Sequence, residues 1–135
     1  MFSVHLSTYE EERILACKEL NKIIDKIDDD EIVIVGGDFN VGVTRLGKGR
    51  YTFEEQNEYS EYKILGEKLK KLPNEEKTWF SELGQGCIDT MFYSERIELL
   101  TFKTVDVENR SDHKAIYAEF NIWKELIHKW IQKQK

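Results

Sequence analysis

A chain of 135 residues, 40% of them hydrophobic, carries enough apolar material for one core, so a single domain is expected over residues 1–135. Its 20 Lys and Arg against 26 Asp and Glu leave a net charge of −6, which argues against a general nucleic-acid binder working by neutralising phosphates. No apolar run approaches the roughly eighteen residues of a membrane span, and no basic stretch followed by an apolar core opens the chain, so a soluble, cytoplasmic protein is expected.

Taken in order, "FSVHLS" alternates around Val4 and reads as a short strand. Ser7 and Glu10 have the spacing of a capping box. The stretch "TYEEERILACKELNKIIDKI" places Ala16, Cys17, Leu20, Ile23, Ile24 and Ile27 on one helical arc. Acidic "DDDE" ends that helix, and "IVIV" follows as a strand covered on both faces; strand, helix, strand predicts a right-handed βαβ unit. Residues 41–57, with three glycines and little periodicity, read as a long loop at the strand's C-terminal end, where open α/β sheets bind ligands. Within it, Arg45, Lys48 and Arg50 read equally as anion-steering cations or solvated loop charges.

Helical spacing resumes in "EYKILGEKLKKL" through Tyr62, Leu65, Leu69 and Leu72, and Pro73 and Asn74 stop it. "KTWFS", "CIDTMFYS", "IELLTFKTV" and "DHKAIYAEFNI" are β-branched or aromatic runs that predict three or four more strands. The tail gathers Ile122, Trp123, Leu126, Ile127, Trp130 and Ile131 on one helical stripe. Cys17 and Cys87 lack metal-ligand spacing and are expected to be buried thiols.

The chemistry concentrates at strand ends. In "IVIVGGDFNVG", Asp38 and Asn40 share a side if the strand extends through them, with Phe39 turned inward; a strand-ending turn with local backbone bonds is the alternative. "SDH" sets Asp112 beside His113, and such a pair can serve a metal and a water together. A capping or surface histidine reads as well. Asp89 stands among Ile88, Met91 and Phe92, so an aspartate buried there requires a partner. His5, alone, reads as structural.

Together, "VHLS", "GGDFN", "KTWF", "CIDTMFYS" and "RSDHKAIYAEF" resemble, in order and setting, the endonuclease/exonuclease/phosphatase (DNase I-like) superfamily over residues 3–121, with 122–135 an added amphipathic helix. The resemblance implies an α/β fold, the C-terminal half of a DNase I-like α/β sandwich with a mixed sheet and flanking helices. It also implies a metal-dependent phosphoric-ester hydrolase using magnesium or manganese, without choosing among nucleases, lipid phosphodiesterases and small-molecule phosphatases. The roles carried over make His113 the general base, Asp89 the group that holds its tautomer, and Asp112 a metal ligand. Asp38 orients the water or a metal, Asn40 donates to the phosphate, and His5 contacts phosphate or protonates the leaving group; Trp79 matches an aromatic position near the site.

Only the second half of the family pattern is present. The early asparagine, the metal-ligating glutamate and the carboxylate partner of the first histidine have no counterpart, so weak cation binding is expected. The expected partners are a phosphate-ester substrate, with nucleic acid among the candidates, and a second copy or another chain supplying the missing sheet over a face made by "IVIV", "IDTMF" and "AIYAEF". Folding the C-terminal helix over that face is the alternative cover. The rival functional reading is an inactive half-domain acting as an interaction module.

Overall fold

A parallel pair begins the chain: β1 (Phe2–His5) lies beside β2 (Ile34–Asp38), joined through α1 (Glu10–Ile24). In the computed structural model, which describes residues 1–54 and 58–135 and only the backbone of 123–126, there follow β3 (Val43–Gly47), β4 (Arg50–Phe53), α2 (Ser60–Gly66) and β5 (Leu69–Lys71). Next come β6 (Trp79–Ser81), β7 (Gly84–Gly86), β8 (Asp89–Ser94), β9 (Glu98–Val105), β10 (Ala115–Asn121) and α3 (Trp123–Lys133). The fold is α/β, with a mixed four-stranded sheet in the order β1-β2-β8-β5 and, among the described residues, three helices.

The buried face of α1 is Arg13, Cys17, Asn21 and Ile24, spaced as one helical stripe requires. Ile23, expected on that stripe, faces solvent. The capping box does not form, because Ser7 Oγ accepts the backbone N–H of Tyr9 and closes a turn ahead of the helix. Cys17, Ile24, Val35, Phe39, Leu65 and Phe92 pack the helices onto the sheet. Inside this layer Arg13 Nε donates to Glu61 Oε1 at 2.8 Å, and Arg13 Nη1 reaches the carbonyls of Ser7 and Val43 at 3.3 Å each. With side chains 4% and 1% exposed, the pair ties α1, α2 and the start of β3 into one register.

Four further sequence expectations change. Residues 43–53 of the expected loop form the β3–β4 hairpin, reversed where Gly47, Lys48 and Gly49 take positive φ of 88°, 49° and 73°; residues 55–57 lie outside the described residues. The helix expected through Leu72 stops at Gly66, and Leu69–Lys71 pair with Ser94–Phe92 of β8 instead. That strand satisfies the edge of β8 while still burying Leu69 and Leu72. Cys87 is half-buried, its Sγ 3.4 Å from Asn74 Nδ2, whereas Cys17 is buried as expected. Among the described residues, strand β10 pairs with β9 and not with β2 or β8, and Phe120 packs against Tyr93 with the rings tilted and their centres 4.9 Å apart.

The β9–β10 pair leaves Leu100, Phe102 and Tyr117 exposed. The C-terminal stripe does not cover an inner face either, since Ile127, Trp130 and Ile131 are exposed; the side chains of Trp123 and Leu126 lie outside the described residues. Instead Lys129 reaches Asp30 and Glu31 at 3.7 and 3.9 Å, beside the α1–β2 connection. Among the described residues no helix is long and apolar enough to cross a membrane.

Candidate active site

Strand register alone brings three polar side chains to one edge. His5 pairs with Asp38 across the parallel β1–β2 ladder, and Asp38 pairs with Asp89 across the antiparallel β2–β8 ladder. His113 arrives from another direction, as the segment before β10 is fastened to β6. There Phe80 N–H donates to Asp112 O at 2.8 Å, Lys114 N–H donates to Thr78 O at 2.6 Å, and Trp79 bridges His113. The carboxylate expected on the imidazole is in place, with His113 Nδ1 2.9 Å from Asp89 Oδ2. Asp38 Oδ2 lies 3.9 Å from His113 Nε2 and 3.6 Å from His5 Nε2.

A carboxylate can only accept, so it draws the imidazole proton to Nδ1 and leaves the lone pair on Nε2, facing Asp38. Asp38, Asp89 and His113 each offer a ligand atom, all within 4.8 Å of one another, which makes them a possible metal-binding triad. His5 is 79% exposed at the rim, against 16% for Asp38 and 31% for His113.

The glycines ahead of Asp38 have a packing reason. A Cβ on Gly37 would sit 2.0 Å from the Val4 carbonyl oxygen, and its φ of +146° disfavours any side chain, so only glycine lets β1 pair closely enough to set His5 beside Asp38. Phe39, fully buried, anchors the next residue and donates its N–H to Ile88 O at 2.8 Å. The strand ends at Asp38 rather than running through Asn40, which has φ 50°. Asn40 N–H donates to Asp38 Oδ1 at 2.9 Å, and its side-chain Nδ2 donates to Leu6 O at 2.7 Å. Both readings of this stretch therefore meet: a local turn fixes the carboxylate that also faces the site.

Two positioning residues escaped the sequence reading. Thr78 Oγ1 accepts the N–H groups of Ile88 and Asp89, both at 3.1 Å, and Asn74 Nδ2 donates to Asp89 O at 2.9 Å. In the sequence Asn74 reads only as a helix stop. The available signal was weak: a Thr beside Trp79 and an Asn after Pro73 acquire meaning only once both prove buried.

Asp112, expected to ligate metal, lies outside the triad and accepts the Trp79 indole N–H on Oδ2 at 3.1 Å. A cavity of about 440 Å³ lies at the opposite end of the sheet, against Val33 and Ser94, remote from these groups. A smaller one, about 320 Å³, adjoins His113.

Burial first, and then the charge of Asp89, push the Asp38 carboxyl above the usual aspartate range, against the pull of the Asn40 N–H, His113 and His5. For His113, burial pulls downward but is outweighed by the Asp89 hydrogen bond and the charges of Asp89, Asp38 and Asp112, so the net direction is up. The folded Asp38 carboxyl thus holds its proton more tightly than the unfolded one. The contribution of Asp38 to the stability of the metal-free protein therefore falls as pH rises from the ordinary aspartate value up to the raised folded value, and that penalty persists above it. Asp38→Asn keeps an oxygen acceptor for Asn40 N–H and deletes the charge. Its thermal midpoint at neutral pH in chelator is expected to rise by a few degrees, the gain vanishing below the ordinary aspartate value; scanning calorimetry at the two pH values checks this.

No protein-family profile matches the chain, and no curated protein matches it by sequence. Solved structures do. A mannosyl-6-phosphatase from Bacteroides thetaiotaomicron VPI-5482 is similar over 88% of this chain and 49% of its own, at 15% identity and a TM-score of 0.60. A conserved protein of unknown function from Enterococcus faecalis V583 is similar over 88% of this chain and 48% of its own, at 16% identity and a TM-score of 0.59. The chain spans about half the length of these structures, and at such identities the likeness establishes a shared fold.

Proposed function

We propose that this chain carries the second half of an endonuclease/exonuclease/phosphatase-like domain and hydrolyses phosphoric esters with the aid of a divalent cation. The observation that carries the reading is the 2.9 Å His113–Asp89 pair set beside Asp38 at the sheet edge. Ester hydrolysis needs a base held in one tautomer, a group that aligns a water, and compensation for charge growing on phosphoryl oxygens. His113 Nε2 takes the proton of the attacking water, Asp89 holds the ring and stabilises the imidazolium, and Asp38 aligns the water. Asn40 fixes Asp38 through its backbone N–H; one of its two amide hydrogens is directed to Leu6, and the other is assigned to the phosphate. His5, exposed at the rim, is assigned to the phosphate or the leaving oxygen. The fold shared with a mannosyl-6-phosphatase is consistent with ester chemistry.

The donor set fits a divalent cation loosely. Two carboxylates converge, and burial first and then the charge of Asp89 raise the Asp38 carboxyl, but Asp89 Oδ2 is already engaged with His113. Asp38 and Asp89 would hold magnesium or manganese, with Asp112 nearby through its influence on His113. When bound, the ion supplies positive charge for the phosphoryl oxygens. Magnesium keeps its waters unless several oxygens converge, so the isolated chain is expected to bind it at millimolar rather than micromolar concentration, as read by titration calorimetry. Micromolar binding would reveal a ligand that these residues do not account for.

The test of the function is release of p-nitrophenol from p-nitrophenyl phosphate and its bis-ester, with magnesium or manganese and with chelator. Cation-dependent release above that of buffer supports the reading; equal rates with and without enzyme at millimolar cation refute it. A second reading, an interaction module, is favoured by the exposed Leu100, Phe102 and Tyr117 on the β9–β10 pair. Self-association through that surface is expected in sedimentation equilibrium, and a concentration-independent monomer would count against it.

A further inference from the structure

The cavity of about 320 Å³ beside His113 is lined by Phe80, Asp106, Asn109, Asp112 and Lys114, among others. We propose that it is the leaving-group subsite and that it takes a neutral polyol, making the substrate a sugar or polyol monophosphate; this rests on the phosphoric-ester reading above.

Position comes first. His113 belongs both to the triad and to the cavity wall, so a group seated there lies one side chain from the scissile bond. Hydrogen-bonding chemistry comes second. Asp106 and Asp112 present carboxylate acceptors, and Asn109 an amide that both donates and accepts, which is the complement of vicinal hydroxyls. Asp106 is fixed by the Glu108 N–H on Oδ1 at 2.9 Å, and Asp112 by the Trp79 indole on Oδ2 at 3.1 Å, so each has an oxygen beyond the one so engaged. Phe80 adds an apolar ring for the C–H face of a sugar, with the Lys114 ammonium 4.9 Å from its centre.

Charge and size then discriminate among esters. Two carboxylates against one lysine disfavour a second phosphate, which a nucleic-acid backbone would bring to the flank of the scissile one. Phe80 and Val107 give the wall apolar patches, but a volume of about 320 Å³ is too small to seat a lipid tail. The volume lies at the lower end of ligand sites and suits one small ring rather than an extended chain.

The experiment uses the full chain with manganese and compares hexose 6-phosphates, glycerol 3-phosphate, the dinucleotide TpT and p-nitrophenyl phosphate, in wild type and in Asn109→Ala and Asp106→Asn. Neither substituted residue belongs to the catalytic group, so p-nitrophenyl phosphate turnover is the control for folding and chemistry. Expected are a preference for at least one polyol phosphate over TpT, and a rise of tenfold or so in its KM in both variants with p-nitrophenyl phosphate turnover unchanged. Preferred cleavage of TpT, or an unchanged KM for the polyol phosphate in both variants, overturns the subsite while leaving the ester chemistry standing. Failure to hydrolyse any ester, p-nitrophenyl phosphate included, overturns both.

Discussion

Replacing His113 by alanine is expected to lower kcat/KM for a phosphoric ester by roughly 10²–10⁴-fold, the usual contribution of a positioned general base. Removing the half-buried ring also leaves the mostly buried Asp89 carboxylate without its partner, so the thermal midpoint should fall by a few degrees; a loss of activity by orders of magnitude in a variant that still folds separates chemistry from structure. Asp89→Asn is the more informative partner. An amide fills the same space but presents an N–H or a weaker acceptor to His113 Nδ1, and so releases the imidazole from the one tautomer that leaves Nε2 bare. A loss approaching that of His113→Ala is expected. Both variants retaining wild-type kcat/KM in metal-supplemented assays would remove His113 from the chemistry altogether.

Gly37→Ala is expected to destabilise the fold by roughly 3–5 kcal/mol, a combination of overpacking and an unfavourable backbone conformation. The added methyl meets the Val4 carbonyl oxygen at 2.0 Å, a backbone atom that can yield only if β1 separates from β2, and φ is +146°. All four register pairs from Phe2–Val35 to His5–Asp38 depend on that approach. Gly36→Ala, one residue earlier, is the control: its methyl would meet Met91 Cγ at 3.3 Å, the flexible part of a side chain, and a cost below about 1 kcal/mol is expected. Urea unfolding of the two variants gives the comparison directly. Equal midpoints would mean that β1 is not held as closely as described.

These experiments probe different kinds of information in the chain. The strand-end groups were legible because their chemistry is local: Asp38 follows a β-rich run and two glycines, and Asp89 and His113 are embedded in strand-like stretches. The helix α1, the strands β2, β8, β9 and β10 and the C-terminal helix follow from side-chain period, which a linear string displays. Where period was weak, reading failed. Three-residue strands such as Leu69–Lys71 and Gly84–Gly86 are too short to show alternation, and the glycine-rich stretch after β2 hid a hairpin whose pairing depends on positive φ at its turn.

Polar residues were the deeper difficulty. Arg13, Glu61, Asn74 and Thr78 look like solvent-facing positions in the sequence, yet all four are buried, because each finds its partner across the fold: Glu61 for Arg13, Asp89 O for Asn74, the Ile88 and Asp89 amides for Thr78. The sequence by itself determined the α/β class, the position of most elements and the identity of the acids and histidines able to do chemistry. Only the tertiary structure decided that His5, Asp38 and Asp89 stand in adjacent ladder positions with His113 laid over them, and that Asp112 turns to Trp79 instead of joining the triad. The physical reason is that secondary structure is written in the repeat of neighbouring side chains, whereas register, burial of charge and the meeting of distant carboxylates are set by which backbone edges pair, and no local repeat encodes the partner.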